Sequence, residues 1–115
     1  MSRTLSLSVT VSVILDGSGN GTAQIGPTTT NEVWSPSVAS VSVATNVNEA
    51  QCRIYAGNAL SAGYFVDGTT WGSSGDSTSN FASQVYPGQS VFARWTGGDA
   101  GARATLTITG TRQVP

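Results

Sequence analysis

The sequence predicts an all-β fold: an antiparallel β-sandwich, Ig-like or of jelly-roll or other Greek-key type, with about seven to nine strands and no significant helix. Three observations carry this. Several runs alternate apolar and polar residues, the period of a half-buried strand. Clusters of Gly, Pro, Asn and Asp recur about every 8–12 residues. No stretch has helical periodicity of useful length, and no internal repeat suggests a solenoid. The 115 residues make a single domain, 1–115, because a chain of about 100–150 residues closes one core without staples.

The elements follow in order. Thr4 to Leu15 sets Leu5, Leu7, Val9, Val11, Val13 and Leu15 on one face and Thr4, Ser6, Ser8, Thr10 and Ser12 on the other. Such a strand spans about 40 Å, against roughly 30–35 Å for a domain of this size. It is expected to bend from one sheet to the other; the alternative is an overhanging free edge. Asp16–Gly21 is a turn rich in residues that tolerate positive φ. Thr22 to Ile25 is a second strand, closed by Gly26-Pro27. Glu32-Val33-Trp34 is a short strand stopped by Ser35-Pro36, and Val38 to Ala44 alternates again. After a turn at Asn46–Asn48, Ala50 to Ala56 places Cys52, Ile54 and Ala56 inward and Arg53 and Tyr55 outward. Gly57 to Gly63 is a loop or single turn, Tyr64 to Thr69 a short strand, Trp71 to Asn80 the most loop-like stretch, and Phe81 to Tyr86 a strand before the turn at Pro87-Gly88-Gln89.

Ser90 to Gly110 is the stretch around which the chain is organised. Two alternating runs flank a loop with three glycines and one aspartate, a hairpin signal with a long connection. Val91, Ala93 and Trp95 are expected to face Ala104, Leu106 and Ile108 across the core, with Arg112 to Pro115 a short tail.

Composition narrows the chemistry. There is no Lys and no His, charged residues make up 10%, and the formal net charge is −1. Ordinary domains carry about 25% charged residues. A missing basic stripe argues against nucleic acid. No apolar run approaches the ~18–20 residues of a membrane span, and Met-Ser-Arg-Thr does not open a secretory signal. Without imidazole or lysine there is no Ser-His, Cys-His or Ser-Lys nucleophile, so no enzyme is expected. No cofactor is expected either. One Cys and no His exclude zinc. Cys52, in apolar company, reads as a buried inert thiol. All six acids sit at turns or strand ends, where Asp caps its own backbone. Asp67, Asp76 and the Ser/Thr-rich loop between them could supply some oxygens to calcium, but their spacing matches no calcium-loop pattern, and plain turn geometry is the expected reading.

Contact residues remain. Trp71, between Thr70 and Gly72, can stack on a sugar or pack under its loop. Leu5 and Leu7 on the first strand, with Asp76 and Asp99 in polar loops, are the further interface candidates. A surface with few charges gives weak protection against edge-to-edge association, which suits a tile in an ordered array.

Phe65 to Thr78 (FVDGTTWGSSGDST) and Pro87 to Gly110 (PGQSVFARWTGGDAGARATLTITG) resemble small virion proteins of phages that infect actinobacteria. The resemblance implies a structural component without catalysis: a decoration protein, homo-oligomeric on the particle, bound to the major capsid protein on the capsid surface and made in the bacterial cytoplasm. No motif residues carry over; the first strand and the Gly-rich loops are the parts expected to touch the shell. The alternatives are a tail-tip or head-fibre adhesive domain, or a carbohydrate-binding module with a glycan partner.

Overall fold

Branched apolar residues alternating with Ser and Thr commit most of the chain to strands, and the inner row of each strand is what the fold buries. The computed structural model describes residues 3–27, 31–44, 47–48, 50–71, 76–79, 81 and 84–115. Its strands are β1 (Arg3–Ile14), β2 (Gly21–Ile25), β3 (Val33–Val43), β4 (Ala50–Gly57), β5 (Phe65–Trp71), β6 (Asp76–Thr78), β7 (Ser90–Thr96) and β8 (Arg103–Val114). A 3-10 turn at Ala62–Tyr64 links β4 to β5.

Two four-stranded antiparallel sheets pack face to face, a long sheet ordered β1-β8-β3-β6 and a short sheet ordered β2-β7-β4-β5. β1 pairs with β8, β2 with β7, β3 with β6 and β4 with β5. The chain is thus one long antiparallel ribbon, folded at the β4–β5 tip and wrapped into a sandwich. The added pairs β3–β8 and β4–β7 close the two sheets. This order is that of a jelly roll, which resolves the choice the sequence left open.

The long first strand does not bend into the second sheet. β1 pairs with β8 along its whole length, from Arg3↔Val114 to Ile14↔Arg103. Strands β1, β8 and β3 have 12, 12 and 11 residues, and those of the short sheet have 5 to 8. The long sheet therefore runs past the short one at the Arg3 end, and the molecule measures 51 × 25 × 21 Å. The expected tail is also strand as far as Val114, because β1 and β3 flank it there.

Ser35-Pro36 does not stop a strand. β3 continues through it with Ser37 bulged out between Pro36↔Gly110 and Val38↔Thr109. Proline fits at such an irregularity because no ladder donor is needed there. The bulge pushes β3 against β8, where a Cβ on Gly110 would collide with the backbone of Ser35, Pro36 and Ser37; its φ is +154°. Ser90 to Gly110 is not a hairpin either. β7 lies in the short sheet and β8 in the long one, so the Gly-rich connection arches across the core. Their inner rows still face each other as the alternation requires: Val91, Ala93, Trp95, Ala104, Leu106 and Ile108 are all fully buried. Of the strand expected from Phe81 to Tyr86, the described residues form one bridge, between Val85 and Trp34; residues 82–83 lie outside those described. Gln89 N–H donates to Tyr86 O at 2.9 Å with Gly88 at φ +89°, a type II turn after Pro87.

The core centres on Trp95, the largest fully buried side chain. Its indole N–H has no hydrogen-bond partner among the described residues, so the ring contributes through packing alone. Trp95→Ala should lose about 3–5 kcal/mol in chemical denaturation, and Trp95→Phe markedly less, since no hydrogen bond goes with the indole. A loss under about 1 kcal/mol for the alanine variant would contradict the burial.

Candidate functional site

β1 is an edge strand. One side is fully paired with β8; the other has no strand beside it among the described residues. At the end of β1, Leu15 N–H donates to Ala102 O at 2.9 Å and Leu15 O accepts from Gly101 N–H at 3.0 Å, both on the β8 side. In an antiparallel ladder this direction alternates residue by residue. The odd residues of β1 thus point their main-chain groups at β8, and Thr4, Ser6, Ser8, Thr10, Ser12 and Ile14 point theirs at the free edge. That edge carries one charge, Arg3, and no proline or bulge, the devices that normally blunt exposed strands.

The inner row of β1 is incompletely covered. Leu7 is buried, while Leu5, Val9, Val11 and Val13 are only half-buried. Of the two residues expected to make contacts on this strand, Leu7 therefore belongs to the core and Leu5 to its open rim. Where the long sheet runs past the short one, a cleft of about 380 Å³ opens between Ser6–Val9 of β1 and the Ile25-Gly26 end of β2. Trp34 and an ion pair, Arg112 Nη1 to Glu32 Oε2 at 2.9 Å, also line it. Arg112 lies between Leu5 and Trp34 in the inner row of the long sheet. Sequence reasoning missed this pair: Arg112 was assigned to a tail, and the partners are 80 residues apart. Glu32 is 5% exposed, so its carboxylate depends on the guanidinium as counter-charge.

Three other acids, Asp16, Asp67 and Asp99, brace the fold. Asp16 accepts from the amides of Ser18 and Asn20 at 2.8 and 3.0 Å, and those bonds hold its carboxyl below the usual range. Asp99 accepts from the amides of Val47 and Asn48 at 3.0 and 2.8 Å, tying the β7–β8 arch to the β3–β4 connection. The Asp67-Gly68-Thr69 segment lies inside β5, so Asp67 is not at a turn or strand end as expected. Asp67 Oδ2 accepts from Thr78 Oγ1 at 2.6 Å, joining the edge of the short sheet to that of the long one. Trp71 ends β5 and Asp76 opens β6, opposite Val41. The side chains of Trp71 and Asp76, and residues 72–75 between them, lie outside those described. Among the described residues no group of His, Cys, Asp and Glu could hold a metal ion, and no helix is long and apolar enough to cross a membrane.

A second surface feature lies on the outer face of the short sheet. Tyr55 faces outward as expected, yet it is buried: Phe65 stands edge-on to it at 5.7 Å and Phe92 is its cross-strand neighbour. Phe65 itself is 51% exposed. Beside it Arg53 sits directly opposite Arg94, both exposed, and neither has an ion-pair partner among the described residues. Like charges so placed repel.

Cys52 is sealed in the core, and burial pushes its thiol far above the ordinary value of 9.0. It is neither nucleophile nor ligand at neutral pH. No protein-family model and no curated protein matches the chain, so function rests on these surfaces.

Two outcomes follow. Arg112→Ala leaves the Glu32 carboxylate buried without its counter-charge and should cost about 1–3 kcal/mol in urea denaturation. The Cys52 thiol stays protonated in the folded chain while the unfolded thiol ionises above pH 9, so stability should fall with pH there. The slope, at most about 1.4 kcal/mol per pH unit, should vanish in Cys52→Ala, measured as the difference between the two proteins.

Proposed function

We propose that this chain is a non-catalytic structural protein of an actinobacterial phage particle, a decoration protein bound in many copies to the outside of the major capsid shell. The observation that carries the reading is the free edge of β1: twelve residues long, unguarded, and backed by a half-covered apolar row. An edge of this kind is a template for another strand. Other features support it. The described carboxylates and the thiol are occupied in holding the fold, which leaves shape and main-chain groups as the means of action. The C-terminal half resembles small virion proteins. The jelly-roll order is also that of many capsid and lectin domains, a fold-level analogy only.

A second reading, an adhesive or glycan-binding domain on a tail tip or head fibre, is favoured by one observation: the exposed Phe65 beside the opposed Arg53 and Arg94. An aromatic face next to unsatisfied cations suits an acidic sugar or protein surface.

One measurement on purified particles separates them. Quantitative mass spectrometry should find this chain at a fixed, high ratio to the major shell protein, with antibody label spread over the head. A few copies, labelled at one end of the particle, would select the adhesive reading. Absence from particles would overturn both.

A further inference from the structure

We infer that β1 pairs antiparallel with β1 of a second copy, joining two long sheets into one continuous sheet across a two-fold axis at Val9. This pairing goes beyond the virion reading and does not rest on it.

The argument starts from the main chain. Thr4, Ser6, Ser8, Thr10, Ser12 and Ile14 turn donors and acceptors to the open edge, so the occupant must be an extended strand. For the inner rows of two such strands to fall on one face, each residue must meet one of the same parity. With Val9 on the axis, Leu7 meets Val11 of the second copy, Leu5 meets Val13, Ser8 meets Thr10 and Ser6 meets Ser12. From Leu5 to Val13 each inner apolar residue finds an apolar partner and each hydroxyl a hydroxyl; at the ends Thr4 meets Ile14. This follows because β1 alternates without an interior charge, proline or bulge.

Charge then favours a second copy over another strand. Arg3 is exposed at one end of β1, and Asp16 lies just beyond the other. The amides of Ser18 and Asn20 stabilise the ionised form of Asp16. Reversing one β1 against another brings Arg3 opposite Leu15, next to Asp16, at both ends of the ladder. A parallel arrangement would stack Arg3 on Arg3 and Asp16 on Asp16.

The cleft fits the same occupant. It opens along Ser6–Val9, where the inner side chains of the second copy are Val9 and Val11. These would cover the rim that leaves Val9 and Val11 half-exposed in the single copy.

Single cysteines test both the contact and its register. In this arrangement the odd residues form the non-hydrogen-bonded pairs, whose Cα atoms approach to about 4.5 Å, within disulfide reach. Val9→Cys should give a disulfide-linked dimer on mild oxidation, about tenfold faster than Val13→Cys or Leu5→Cys alone. Mixing the Leu5→Cys and Val13→Cys proteins should restore linkage. Native Cys52 is buried, so the wild type is the unlinked control. Sedimentation velocity on the wild type at high micromolar concentration should show a dimer. Ser8→Pro, which removes only an edge-facing N–H, should show a monomer of unchanged far-ultraviolet circular dichroism. A monomeric wild type, or a Val9→Cys protein that links no faster than Val13→Cys, would overturn the pairing. Failure of the particle count above would leave it standing.

Discussion

The position of β8 between β1 and β3 is the constraint on which the rest depends. β8 is paired on both sides along almost its entire length. Its inner row of Ala104, Leu106 and Ile108 forms the floor on which Trp95 and the rest of β7 rest. A strand so enclosed has no freedom of register, since a one-residue slip would turn that row to solvent. Fixing β8 fixes β1 as an outer strand and requires β3 to bulge at Ser37, against a residue that has to be glycine. The Glu32–Arg112 pair follows from the same register, because it places Arg112 in the inner row beside Trp34.

Much of this was legible in the chain, and the limit is a physical one. Alternation reports which face a residue occupies, and the assignments for β1, β3, β4, β7 and β8 hold almost residue by residue. Alternation does not report which strand lies alongside. The runs around Thr96–Arg103 therefore read as a hairpin, although the same inward residues suit an arch equally well. Proline at 36 read as a stop because a ladder donor is lost there; the bulge removes the need for that donor. Tyr55 read as outward, and it is; the alternation gave no sign that this outer position is buried. What buries it is Phe65, brought over by a connection whose path no local pattern encodes. The Glu32–Arg112 pair left no local signal at all.

The two surfaces that remain available differ in character. The β1 edge offers main-chain groups and small side chains, so it recognises an extended strand and little else. The outer face of the short sheet offers a ring and two guanidinium groups, so it responds to charge. A protein with a free strand edge at one side and a cationic aromatic face on the other can meet two neighbours at once. The scarcity of charge elsewhere leaves these two places as the distinctive features of the described surface.

The ribbon order has a consequence for synthesis. The pairing partners nearest in sequence are β4 and β5, and the most distant are β1 and β8. On a ribosome, β1 emerges long before its partner β8. At roughly 5–20 residues per second it waits on the order of ten seconds with both edges open. During that interval β1 lacks the β8 ladder that pairs it along its whole length. The strand that keeps one open edge in the finished fold is thus also among the last to gain a partner on the other.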